Sequence, residues 1–241
     1  AHSYNSYLTE LPDELFPQSP LAKGWSHTYN SYIQYHLGPD NNSTADNRLI
    51  VVWADGTIHS YKYQNPDFIC ETQGVYDNFT FVNTSKIEIK TKAQISYTFE
   101  RISSTDFTFV LTKIADRNSN AITINYQSAP NVMWYGNPYT AKRVSNVIDP
   151  AGRSLNFSYN GNNQLQSITD PLGRNIQFTY SSGQLSRFTD AKGQNTDYTY
   201  SSLVTETSLL TRIKLPKGNQ INNTYYQRKL ASTKYNNSTT T

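Results

Sequence analysis

From Gly24 onward the chain is written in short segments where apolar and polar residues alternate. Leu155, Phe157 and Tyr159 alternate with Asn156 and Ser158, and Ile176, Phe178 and Tyr180 alternate with Gln177 and Thr179. A period of two places the apolar side chains on one face of a strand and the polar ones on the other. The same reading extends to TYNSYIQYHL, RLIVVWA, TIHSYKY, NFTFV, KIEIKT, ISYTFER and FTFVLTKI, with a loop from Gly38 to Asp46. Asp55-Gly56, between two such runs, predicts a hairpin turn. No amphipathic helix of useful length is predicted. The pattern therefore predicts an all-β chain built of antiparallel hairpins.

Over the second half the pattern becomes a repeat. VSNVIDPAGRSLNFSY, LQSITDPLGRNIQFTY, LSRFTDAKGQNTDYTY and LTRIKLPKGNQINNTY begin at Val144, Leu165, Leu185 and Leu210, end at Tyr159, Tyr180, Tyr200 and Tyr225, and are equal in length. A weaker fifth copy, LTKIADRNSNAITINY from Leu111 to Tyr126, has Ser119 where the others have glycine. Asp149-Pro150-Ala151-Gly152 and Asp170-Pro171-Leu172-Gly173 set an Asx side chain, a preset φ and a glycine in the order that suits a type I turn. The glycines at this position, Gly152, Gly173, Gly193 and Gly218, imply a backbone geometry or a close approach that a Cβ would obstruct. Leu165 and Ile168, like Leu185 and Phe188, have opposite parity, so a β-bulge or a strand end is required if both face the core.

The motif DPLGRNIQFTY resembles the YD repeat of the RHS family. GWSHTYN from Gly24 to Asn30 is similar to the segment that precedes the repeats there, and WADGTIHSYKY from Trp53 to Tyr63 fits that family's degenerate early hairpins. The resemblance covers Gly24 to Tyr226 and implies an elongated or spiral strip of hairpins, part of a hollow shell, with few or no helices. In larger relatives such shells enclose a toxin or form rigid cell-surface structures. The resemblance also implies that a shell releasing a toxin carries a self-cleaving aspartyl element of longer DPxGL form. Arg153 and Arg174 follow the glycines here and the chain ends in KYNNSTTT, so neither autoproteolysis nor an enclosed toxin domain is expected.

Composition adds little chemistry. The 241 residues carry a net charge of +3, with Lys and Arg scattered, which is no nucleic-acid footprint. Tyrosine, at 19, suits β-rich surfaces. Cys70 is the single cysteine, which excludes an internal disulfide or a cysteine-based zinc site and reads as a small hydrophobe. No apolar window reaches the ~18 residues of a membrane-spanning helix. The chain begins at Ala1 without an apolar leader core, which reads as a processed form or an excised piece. Asn-x-Ser/Thr sites at Asn41, Asn42, Asn78, Asn83, Asn156, Asn222, Asn236 and Asn237 are expected by chance in a chain this rich in Asn, Ser and Thr.

Residues 1–23, with Pro12, Pro17 and Pro20, read as an extended arm; 24–110 as degenerate hairpins; 111–226 as repeats interrupted by a loop at 127–143; and 227–241 as a polar tail. The interruption gathers Trp134, Tyr135 and Tyr139, the candidate ligand-binding residues, because loop aromatics stack on sugar rings or on a partner surface. A cap folded back on the strip is the competing reading. His2, His27, His36 and His59 show no zinc-ligand spacing, and Asp149, Asp170 and Asp190 are explained as turn formers. The expectation is thus a non-enzymatic, extracellular or cell-surface module with no cofactor and no metal. It pairs through strand edges with copies of itself or with a larger shell. A carbohydrate-binding or adhesive module, or a fragment of a toxin-enclosing shell, is the alternative.

Overall fold

A computed structural model describes residues 2–4, 21–22, 24–36, 47–65, 67–101, 108–134, 137–201, 209–226 and 229–236. Every regular element among them is a β-strand, all the pairings with a resolved register are antiparallel, and no helix is present among the described residues. The chain divides into two compact units, one of residue 1 with 27–154 and the other of 2–26 with 155–241. Its first two strands, β1 (His2–Tyr4) and β2 (Trp25–His27), form a small sheet.

In the 27–154 unit, β3 (Tyr32–His36), β4 (Arg48–Val52), β5 (Ile58–Gln64) and β6 (Asp67–Cys70) pair in succession. A second run, β7 (Asn78–Asn83), β8 (Lys86–Lys90), β9 (Ser96–Arg101) and β10 (Thr108–Ala115), does the same. β10 joins the two runs. Its first half pairs with β3, as in Phe109 with Ile33, and its second half with β11 (Ala121–Trp134), as in Ile114 with Ile122. The alternation read from the sequence fills the core: Leu49, Ile87, Ile89 and Phe99 are fully buried between part-exposed strand neighbours, while Ile33 and Val51 are fully buried beside Tyr32, Gln34 and Val52, which are buried too. The Asp55-Gly56 hairpin forms as expected. Its turn runs from Trp53 to Gly56, with the Gly56 N–H donating to the Trp53 carbonyl at 2.8 Å and Gly56 at φ 86°.

The stretch 127–143, expected as a loop, is instead strand over most of its length. β11 and β12 (Asn137–Ile148) form a long hairpin in register from Thr123 with Ile148 to Trp134 with Asn137. The prolines misled the reading. Pro130 falls where the register shifts between Ala129 and Val132, a place where the ladder does not need its missing N–H.

In the other unit, β13 (Ser154–Tyr159), β14 (Leu165–Thr169), β15 (Asn175–Ser181), β16 (Gln184–Thr189), β17 (Asn195–Tyr200), β18 (Leu210–Lys214), β19 (Gln220–Tyr226) and β20 (Lys229–Asn236) pair each with the next. Leu165, Leu185 and Leu210 form one buried row, and Phe157, Phe178 and Tyr198 another. Residues 229–236, read from sequence as part of a polar tail, lie antiparallel on β19, with Tyr225 opposite Leu230.

Candidate functional site

The arrangement that recurs is a clamp made by a copy on itself. The hydroxyl of the copy's last tyrosine donates to the backbone carbonyl of its first residue, fifteen positions earlier: Tyr126 to Leu111, Tyr180 to Leu165 and Tyr200 to Leu185 at 2.7 Å, and Tyr225 to Leu210 at 2.8 Å. Burial pushes the Tyr180 phenol above its ordinary range, and the neighbouring phenols of Tyr159 and Tyr200 add to the rise. The tyrosine therefore stays a neutral donor. A β-bulge accompanies the clamp. Pairing steps from Thr179 with Arg187 to Tyr180 with Leu185, skipping Ser186, and the same shift occurs at Tyr159 with Leu165, Tyr200 with Leu210 and Tyr225 with Leu230. Of the bulge and the strand end that the parity of Leu165 and Ile168 allowed, the bulge is the one formed. It turns the first leucine into the core without reversing the rest of its strand.

In four of the five copies the turn is held by an aspartate. Asp149 Oδ1 accepts the N–H groups of Ala151 and Arg153, and Asp116, Asp170 and Asp190 repeat the same pair of bonds. The Gly152 N–H closes the turn onto the Asp149 carbonyl at 2.9 Å, and Gly152 lies at φ 80°. The turn is thus a type I turn continued by a left-handed residue. No heavy atom stands within 4 Å of a Cβ built on Gly173. Of the two reasons expected for the glycine, backbone geometry is the operative one. Arg153 and Arg174 complete the cap with ion pairs of 2.6 and 2.5 Å to Asp149 and Asp170. The Arg153 guanidinium first, and the backbone donors after it, hold the Asp149 carboxyl below the usual carboxylate range.

In the same unit, β1 delivers His2 into an aromatic nest that the sequence gave no reason to expect. The imidazole lies 4.8 Å from the Phe188 ring, 5.6 Å from Trp25 and 5.9 Å from Phe178, centroid to centroid. Its Nε2 is 2.8 Å from the Tyr198 hydroxyl. The Trp25 indole donates to the Tyr200 hydroxyl at 2.7 Å, which makes that clamp tyrosine acceptor and donor at once. A concavity of about 700 Å³, which shares Phe178 with the nest, is lined by uncharged groups, among them Ser158, Gln166, Ser167, Asn175 and Gln177.

Of the candidate ligand residues, Trp134 and Tyr139 lie on described strands. Trp134 ends β11 and Tyr139 lies in β12, paired with Val132. Their side chains, and Tyr135 altogether, lie outside the described residues. Of the other histidines, His27 is 4 % exposed. Its Nδ1 accepts the Tyr29 N–H at 3.3 Å, and burial lowers its pKa to about 4. No group of three or more His, Cys, Asp or Glu placed to hold a metal ion occurs among the described residues. No helix among them is long and apolar enough to cross a membrane.

The RHS Repeat family model matches residues 140–174, which take in the copy from Val144 to Tyr159 and the first strand and turn of the next. A comparison with curated proteins gives no match. Among solved structures the chain is similar to a porin-like protein from Bacteroides uniformis ATCC 8492, at 9% identity, 87% of this chain, 96% of that chain and a TM-score of 0.40. The tyrosine clamp, the bulge and the aspartate turn recur around the segment that is similar to the RHS Repeat family.

Proposed function

We propose that the chain is a non-enzymatic structural module of an extracellular or cell-surface RHS/YD-repeat protein, which pairs through strand edges with copies of itself or with the rest of a larger shell. The observation that supports this reading most is where the repeated polar groups are used. The clamp hydroxyls of Tyr126, Tyr180, Tyr200 and Tyr225 bind backbone carbonyls. The carboxylates of Asp116, Asp149, Asp170 and Asp190 bind backbone N–H groups. Groups that a repeated active site would direct at a substrate are here directed at the chain itself. The last strand of one copy is also completed by the first strand of the next, as Tyr180 is by Leu185, so the unit is additive by construction. Light scattering over a concentration series tests self-pairing: a mass that rises above the monomer is expected, and a monomer at every concentration would remove it.

A carbohydrate-binding role is the second reading, favoured by the uncharged amide and hydroxyl lining at Gln166, Ser167, Asn175 and Gln177. A glycan array probed with the full chain and with Gln177→Ala separates it from the first. Retention of a neutral glycan by the full chain, and its loss in the variant, would support it.

A further inference from the structure

Outside the repeats, one cluster of side chains holds two arrangements in competition. His59 on β5 accepts the indole N–H of Trp53 at its Nδ1, at 3.0 Å. The carboxylate of Asp77 stands 3.9 Å from the same nitrogen. With Nδ1 used as an acceptor, the neutral ring carries its proton on Nε2 and turns a lone pair toward the carboxylate, so the two do not bond. An imidazolium reverses both relations. Its Nδ1–H has no lone pair for Trp53 and is a charge-assisted donor to Asp77. Both side chains are 14 % exposed, so water competes weakly for either partner.

We propose that His59, Trp53 and Asp77 form an acid-responsive latch: protonation of His59 passes its Nδ1 from the Trp53 indole to the Asp77 carboxylate and draws the connection between β6 and β7 onto β5. The connection is built for this. Its first residues are fixed on β5, with the Glu71 N–H donating to the Ser60 carbonyl at 2.7 Å and the Ser60 N–H to Thr72 Oγ1 at 2.9 Å. Glu71 is also paired with Arg48 at 3.1 Å. Its far end reaches β5 at His59. Between them Gly74 lies at φ 81°, and Tyr76 is 78 % exposed, which leaves the segment room to move. On the opposite side, the Trp53 ring packs edge-on against Tyr97 at 4.9 Å and Phe99 at 6.1 Å, so its release is felt on β9.

The charges around His59 set when the latch acts. Burial of the ring lowers its proton affinity and dominates, while the carboxylates of Asp77 and Asp55 oppose it. Tyr61 and Tyr97, which share the field of Asp77, have phenols raised above their ordinary value, chiefly by burial, and remain neutral. The transfer therefore belongs to mildly acidic conditions, below the ordinary histidine range.

Nuclear magnetic resonance on the full chain, from about pH 8 to about pH 5, tests this. The Trp53 indole signal, assigned with Trp53→Phe, is expected to move with the same midpoint as the His59 ring, and amide exchange from Gly74 to Asp77 to slow in acid relative to intrinsic rates. Asp77→Asn should lower the midpoint and abolish the slowing. An indole signal that ignores the His59 titration would overturn the latch, and this readout needs no variant at Asp77. A midpoint and exchange pattern unchanged by Asp77→Asn would overturn it equally.

Discussion

One hydroxyl ties each terminal tyrosine to the start of its own copy, and its contribution is separable from that of the ring. Tyr180→Phe keeps the half-buried ring and leaves the Leu165 carbonyl without this donor, which should cost about 1 kcal/mol. Tyr180→Ala removes the ring as well and should cost on the order of 3 kcal/mol. Urea denaturation of both variants checks the ratio, and a Tyr180→Phe variant as stable as the parent would mean that the hydroxyl contributes nothing. Ser119 offers the opposite case. It takes the left-handed conformation of the repeat glycines, at φ 67°, with a side chain, a conformation that costs an L-residue roughly 1 kcal/mol. Ser119→Gly should therefore raise the melting temperature, although it removes a side chain and adds no contact.

At the scale of the element, the turn is where sequence and geometry agree most closely. Gly173 and Gly161 both have open space where a Cβ would go, but only Gly173 has a positive φ, at 76°. Gly173→Val should accordingly be destabilising and Gly161→Val close to neutral, as thermal melts of the two would show. In the turn that contains Gly161 the left-handed residue is Asn163, at φ 61°, and Asn160 Oδ1 accepts the N–H groups of Asn162 and Gln164 as the aspartates do elsewhere. That turn was not legible as a copy of the others, because amide replaces carboxylate and asparagine replaces glycine at the two positions that carry the signal. The turn at Leu215 shows what the aspartate adds. Its backbone bonds, from Gly218 N–H to the Leu215 carbonyl and from Leu215 N–H to the Asn219 carbonyl, form without a carboxylate cap.

Across the whole molecule the histidines give folding stability a direction with pH. Burial depresses the pKa of His27 to about 4 and lowers those of His2 and His59 as well. The unfolded chain therefore binds protons that the folded chain refuses. The stability contributed by these groups is complete above the ordinary histidine value of 6.5 and is lost as pH falls from there toward 4. For His27 the full effect is roughly 3 kcal/mol. Urea midpoints should fall across that interval and fall less steeply in His27→Gln, and a flat profile would contradict the burial. The turn carboxylates act in a separate window. Asp149 is held below its ordinary value, so its contribution is lost only in stronger acid.

What the sequence determined by itself was whatever depends on neighbours along the chain. Period-two alternation decided the strands and their buried face, and the parity of Leu165 and Ile168 asked for a bulge or a strand end, of which the pairing shows the bulge. The fixed place of Gly173 announced a backbone geometry or a close approach, and its positive φ shows which of the two holds. These are local matters of backbone geometry and side-chain direction, and the repeat writes them several times over. Only the tertiary structure decided where distant groups meet. The Tyr180 hydroxyl meets the Leu165 carbonyl by joining β15 to β14. The division of β10 between β3 and β11, the seat of His2 among Trp25, Phe178 and Phe188, and the approach of Asp77 to His59 follow from packing between segments remote in sequence. Alternation specifies a buried face but not which other face it meets.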